Sequence, residues 1–275
     1  QKEVLWRVNF EELLRRLRNK VCVSYVKRAY DEAAGLVMAA ILELSGRTEK
    51  GVKAGKSASL SINAIYDEVI KKEQGLGMDF QRVRASLEQL GCETVSTGLD
   101  ENYIADLKRH IEMAQDEELE SLVLQRHGKE AYRIFRFLSK AGRFFDTDKI
   151  SEINIATSDP KDTIKVLNKL WRDNYLEMER VGGAGGSDEA SSRILWKVNK
   201  QPVRRHVLDE MYHGALNLRL RMEQEADKGK EILQMPREKL VGEYLKRFSR
   251  LSRIRIILES SLLNLDDSIM LFHDF

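Results

Sequence analysis

Apolar positions between residues 117 and 199 fall first at helical spacing and then at alternating spacing. Leu119, Leu122 and Val123 form one stripe, and after Gly128 a second is made by Ala131, Ile134, Phe135 and Leu138, ending at Gly142. A short helix with Ile150 and Ile153 inward is expected next, then a helix opening at Asp159 as N-cap with Pro160 at the first helical position and running to about Asn174. YLEMERV and RILWKVN, joined by GGAGGSDEASS, then alternate as a hairpin, the glycines reading as a flexible wing tip. Three helices followed by a hairpin is the order of a winged helix, with LWKVN as the returning wing strand and Leu195 or Trp196 facing the helices.

The same plan is legible upstream. A long helix over about 21–45 carries Val26, Ala29, Ala33, Leu36, Val37, Ala40 and Leu44; after a polar linker come helices in SINAIYDEVI and DFQRVRASLEQLG, then strands in CETVS and NYIADLKRH. LWRVN at 5–9 nearly repeats LWKVN at 195–199, so it reads as the last wing strand of a preceding domain, unpaired here, with the chain itself the later part of a longer polypeptide. Asn9 and Glu12 are placed to cap the next helix reciprocally. Beyond Pro202 the pattern is helical throughout. Leu208, Met211, Ala215, Leu218, Met222 and Ala226 recur at spacings of three and four. After Pro236 the run continues through Leu240, Tyr244, Phe248, Leu251, Ile254, Leu258, Leu262, Leu265, Ile269 and Phe272.

The expected fold is therefore mainly α with small β wings: tandem winged helices followed by an antiparallel coiled-coil helical hairpin. The parse gives 1–20 as the end of a preceding winged helix plus a linking helix, 21–115 and 116–201 as winged helices, and 202–275 as the hairpin. Leu251, Ile254, Leu258, Leu262, Leu265 and Ile269 form its candidate packing or partner stripe.

Charge and cysteine content narrow the chemistry. Lys and Arg number 46 against 44 Asp and Glu, so any nucleic-acid contact must come from a local patch. Two cysteines 70 residues apart read as reduced thiols of an intracellular protein. No run approaches 18 apolar residues, which predicts a soluble chain with no membrane partner.

GVKAGKS resembles a phosphate-binding loop, and an NTPase would use it. Gly51 to Gly55 leaves one residue too few, however, and the segment follows a helix instead of a strand, so a solvated linker is expected. GGAGG at 182–186 leads into a strand, where no helix N-terminus faces a phosphate. His206 and His213 lie seven apart, too far along one helix to share a metal, and no other histidine sits at ligand spacing. No catalytic residue, metal or cofactor is assigned.

One basic feature survives. On the helix from Pro160, Lys161, Lys165, Lys169 and Arg172 fall within about 80° of one another, opposite Ile164, Leu167, Leu170 and Trp171. This is the element that enters the major groove in DNA-reading helix-turn-helix proteins, so the four cations are the candidate nucleic-acid contact. The equivalent upstream helix presents the mixed surface Gln81, Arg84, Ala85, Glu88 and Gln89.

The segments LESLVLQRHGKEAYRIFRFLSKAG, SDPKDTIKVLNKLWRDNYLEM, LWKVN and MPREKL through LLNLDDSIMLF, with the opening LWRVNFEELLR, resemble one family. It is the largest member of the winged-helix heterotrimer peculiar to eukaryotic RNA polymerase III, and the likeness is drawn most strongly over 117–199. The resemblance implies a nuclear, non-catalytic subunit of the DNA-directed RNA polymerase, carrying the third and fourth winged helices and the coiled coil. It further implies binding to the other heterotrimer subunits and to the clamp of the largest polymerase subunit, weak or indirect contact with promoter DNA, and assistance in transcription initiation and promoter opening. The rival reading is a free-standing winged-helix transcription regulator with residues 159–174 as its recognition helix.

Overall fold

The computed structural model describes residues 5–48, 51–97, 100–154, 160–182, 193–236, 239 and 241–275. They form two compact units, one built on the residues up to Asp116 with Asp274 and Phe275, the other on Glu117–His273.

In the first unit α1 (Phe10–Ala29) and α2 (Glu32–Gly46) replace the single helix expected over 21–45. Apolar spacings of three and four continue across the break, so periodicity conceals it. The local signal is Asp31, whose carboxylate accepts from the Ala34 N–H at 2.7 Å and starts a new helix. α2 is apolar on nearly every side, with Leu36, Val37, Ala40 and Ile41 buried, which suits a helix enclosed by others.

Around it lie α3 (Ile62–Ile70) and α4 (Phe80–Gln89), begun by the side chains of Ser61 and Asp79 as N-caps. Asn9 caps α1 through the Glu12 N–H, but the reciprocal half of the expected box is absent. Glu12 instead takes Arg15 at 2.6 Å and Arg16 at 3.0 Å, ion pairs within its own helix that displace a neutral backbone bond.

Three short strands complete the unit: β1 (Leu60–Ser61), β2 (Glu93–Thr97) and β3 (Asp100–Ile104), in the order β1-β3-β2. β3 stops before the expected NYIADLKRH strand does. Asp106 caps the following helix by accepting from the Arg109 N–H at 3.0 Å.

That helix, α5 (Leu107–Ala141), is broken at Gly128, where φ of 84° and ψ of −177° suit a residue without Cβ. In the second unit β4 (Phe145–Asp146), α6 (Thr147–Asn154), α7 (Pro160–Arg172), β5 (Glu177–Val181) and β6 (Arg193–Lys197) follow. The sheet order β4-β6-β5 repeats that of the first unit. Two winged helices of identical strand order therefore stand in tandem. The expected cap at Asp159, the inward side chain of Ile153 and the wing tip beyond Gly182 lie outside the described residues.

α8 (Lys200–Lys228), the one-turn α9 (Lys230–Leu233) and α10 (Glu243–His273) make the hairpin. α8 starts two residues before Pro202, which sits harmlessly in the first turn. Gly214 faces Leu265 and Gly229 faces Leu251, an antiparallel register in which rising numbers on one helix meet falling numbers on the other. Phe272 returns to pack on the winged-helix core of its own unit.

The twin pentapeptides differ completely. Trp196 is 1% exposed at the centre of its sheet, while Trp6 is 92% exposed and residues 5–9 form no strand with any described residue.

The linker expected to be solvated is packed in part: Lys53, Gly55 and Lys56 are exposed, but the segment is tied to the unit at both ends of 52–57. Val52 is buried, its carbonyl accepts from the buried Arg18 guanidinium at 2.9 Å, and Ser57 exchanges bonds with Ala105. Among the described residues no helix is long and apolar enough to cross a membrane.

Candidate functional site

The helix α7 is held by its buried face and by its end. Thr163, Leu167 and Leu170 point into the core, and the C-terminus closes in a Schellman motif: Tyr175 N–H to Leu170 O at 2.9 Å and Asn174 N–H to Trp171 O at 3.0 Å. Asn174 takes the left-handed position with φ of 60°. α4 ends in the same way, with Cys92 bonding to Leu87 O, Gly91 to Glu88 O, and Gly91 left-handed. Each recognition-type helix is thereby turned directly into its wing.

Lys161, Lys165, Lys169 and Arg172 are all exposed on α7. Lys165 reaches Asp162 at 2.9 Å, an exposed pair worth little in water. Ile164 and Trp171, expected opposite the stripe, are 44% and 41% exposed. Seven residues apart, they lie beside the cations on the flank, because the core takes only the narrower face centred on Leu167 and Leu170.

The outer surface of α7 thus combines ammonium and guanidinium groups with an exposed indole, which together can meet phosphates and stack or wedge against bases. α4 presents Gln81, Arg84, Ala85, Glu88 and Gln89 to solvent, but its arginines are engaged, Arg82 by Asp31 at 2.5 Å and Arg84 by Glu101.

Sequence reasoning missed the cluster that anchors this helix. Tyr175, fully buried, is met edge-on by the rings of His127, Phe135 and His206. Arg126 donates to the Tyr175 hydroxyl at 3.3 Å and to Glu210 of α8 at 2.6 Å. Rings and charges from three distant segments meet here, and no spacing rule links them.

His127 Nε2 lies 3.6 Å from the Asp173 carboxylate, while burial holds its pKa below the ordinary histidine value; Asp173 and Glu210 oppose that shift, and Lys169 and Arg126 add to it. The unfolded chain therefore takes up a proton first as pH falls, so this contribution is complete above about pH 6.5 and declines below it. His110 in the first unit is shifted downward by burial in the same sense. Urea midpoints are expected to fall between pH 7.5 and 5.5, with a weaker fall in His127→Gln. An identical pH dependence in that variant would remove His127 as a cause.

The hairpin stripe is placed as follows. Leu251, Ile254, Leu258, Leu262 and Leu265 are half-buried and Ile269 is buried, with Leu265 against Gly214 of α8 and Leu251 against Gly229 just past its end. Cys22 and Cys92 are free thiols, and burial pushes each pKa up to about 12, so neither is a reactive thiolate at neutral pH. The Lys56 ammonium of the loop-like GVKAGKS is held by both carboxylate oxygens of Glu93 at 2.7 Å.

Comparison with known proteins gives a consistent likeness. Residues 1–121 match the profile of the family described as RNA polymerase III subunit RPC82. The DNA-directed RNA polymerase III subunit rpc3 of Dictyostelium discoideum is 20% identical over 300 residues, covering 100% of this chain and 44% of that protein. The RPC3 subunits of Danio rerio and Homo sapiens are 25% and 23% identical, covering 83% and 84% of this chain and 42% and 43% of theirs. The chain spans less than half the length of these relatives. The profile match lies in the first 121 residues, whereas the sequence resemblance is drawn most strongly over 117–199.

Proposed function

We propose that this chain, which is similar to RNA polymerase III subunit RPC3, serves as a non-catalytic subunit of that polymerase, scaffolding the heterotrimer on the clamp and assisting initiation and promoter opening. In this reading residues 1–20 end a preceding winged helix and lead into the next, 21–115 and 116–201 are winged helices, and 202–275 is the coiled-coil hairpin. The protein works in the nucleus, where its partners are other polymerase subunits and its contact with promoter DNA is weak or indirect. The observation that carries the reading is the likeness to RPC3 subunits from three organisms, which for one of them spans the whole chain.

α7 supplies the DNA-facing part of the proposal. Four exposed cations are enough for phosphate contact, yet the chain as a whole is nearly neutral, so binding stays modest and depends on salt.

Affinity purification from nuclear extract is expected to bring down polymerase III subunits. The purified chain alone should bind duplex DNA with Kd no tighter than about 10⁻⁶ M at physiological salt, and Lys165→Glu with Lys169→Glu should weaken that binding across sequences while leaving subunit association intact. Tight, sequence-selective binding by the isolated chain, abolished by the same pair and without polymerase subunits in the pull-down, would establish the free-standing regulator instead.

A further inference from the structure

The first half of α10 carries more like charge than a helix favours. Residues 243–257 hold Lys246, Arg247, Arg250, Arg253 and Arg255 against one carboxylate, Glu243, in a chain whose totals of 46 and 44 nearly cancel. Lys246, Arg250 and Arg253 fall within about 60° of one another at spacings of four and three, over roughly 10 Å of helix. All three are exposed. None makes an ion pair among the described residues, whereas Arg255, on the other side of the helix, is held by Glu259 at 2.7 Å.

This arrangement weakens the helix that bears it. Like charges three and four residues apart repel, and Lys246 and Arg247 stand at the first turn of α10, where the helix dipole disfavours cations. A ligand that brings carboxylates to this face relieves both effects.

The face is open. Leu251, which meets Gly229, lies about 100–160° round the helix from the three cations, so the packed side of α10 is turned away from them. Lys246, Arg250 and Arg253 share one open depression with Ser249, Ile254 and Ile257, and its whole lining comes from α10.

That lining decides between two kinds of anion. Tyr244 and Phe248 are the rings of this stretch, and both lie more than about 140° round the helix from the cations, so bases meet no stacking platform here. Ile254 and Ile257 stand there instead, Ile257 58% exposed, and aliphatic carbons suit the side chains of a protein better than a sugar-phosphate strand.

We propose that this face of α10 is a docking site for an acidic segment of a partner protein, whose Asp and Glu carboxylates meet Lys246, Arg250 and Arg253 and whose aliphatic side chains cover Ile257. Neither polymerase membership nor the α7 contact is needed for it. Each exposed ion pair is weak in water, so the cations set the sign of the partner and the affinity falls with salt.

Fluorescence anisotropy with the full chain tests this, using a fluorescein-labelled 15-residue peptide of Glu and Leu beside a Lys and Leu counterpart and a Glu and Ser counterpart. At about 50 mM salt the Glu and Leu peptide should bind at least about tenfold more tightly than either counterpart, and its affinity should fall as salt rises. Arg250→Glu with Arg253→Glu should weaken it by at least about tenfold and Ile257→Ser by about threefold. Lys165→Glu with Lys169→Glu on α7 should leave it unchanged. All these side chains are exposed, and circular dichroism checks that each variant is folded.

No binding of the Glu and Leu peptide, equal affinity for either counterpart, or wild-type affinity in the folded Arg250→Glu, Arg253→Glu protein would overturn the proposal. A labelled single-stranded oligonucleotide that binds more tightly than the acidic peptide and is released by the same arginine pair would overturn it as well, giving the face to nucleic acid.

Discussion

Trp196→Ala is expected to destabilise the second unit by about 3–5 kcal/mol, the range for removing a fully buried large aromatic, whereas Trp6→Ala should change stability by no more than about 0.5 kcal/mol. The two tryptophans occupy the same place in nearly the same word, LWRVN and LWKVN. Trp196 lies opposite Phe145 on one neighbouring strand and Met178 on the other, and its indole N–H donates to Thr147 Oγ1 at 2.9 Å.

Truncation would open a cavity under the sheet and remove one of the two Thr147 hydroxyl bonds that tie β6 to the start of α6, leaving the one to Ile194 O. Trp196→Phe separates the two losses: it keeps an apolar ring and gives up only the N–H donor and some volume, so about 1–2 kcal/mol is expected. Urea unfolding followed by circular dichroism measures all three variants. A Trp6→Ala effect as large as that of Trp196→Ala would mean that residues 5–9 are buried in solution.

The difference between the twins shows what kind of information the sequence holds. Alternation and the pentapeptide repeat identify strand-forming words, but a strand is realised only where partner strands exist. β6 has two, and residues 5–9 have none among the described residues.

The second strand order was half legible. The hairpins β2-β3 and β5-β6 carry alternation over five residues each, while β1 and β4 are two residues long and too short for any period. The same limit explains the candidate nucleic-acid helix. Its cationic face follows from 3.6-residue periodicity, but whether Ile164 and Trp171 are covered depends on how wide a face the neighbouring helices take, and that is decided by tertiary packing. The Tyr175 cluster lay beyond reach for a further reason: Arg126, Tyr175 and Glu210 are brought together only by the fold.

Arg18 carries the other large expected effect. GVKAGKS looks like a polar linker because its residues are small, basic and free of apolar periodicity. Yet its backbone is spoken for: Lys108 N–H donates to Gly55 O at 3.0 Å, Ser57 N–H to Ala105 O at 2.9 Å, and Ala58 N–H to the Ser45 hydroxyl at 3.2 Å. Arg18, fully buried on α1, reaches across with Nη1 to the Val52 carbonyl at 2.9 Å and holds Asn19 Oδ1 with Nη2 at 3.1 Å.

Arg18→Ala removes the donor from a buried carbonyl and the packing of a long side chain together, so a loss of about 2–4 kcal/mol is expected, with Arg18→Met recovering the volume and cutting the loss to about 1–2 kcal/mol. Because the bond to the Val52 carbonyl is among those lost, the local consequence for this segment should exceed the global one. Trypsin cleavage after Lys53 and Lys56 is expected to speed up in both variants at denaturant concentrations where circular dichroism still reports a folded chain. Unchanged cleavage in Arg18→Ala would show that Gly55, Ser57 and Ala58 hold the segment without Arg18, and the guanidinium would then be buried for the stability of α1 alone.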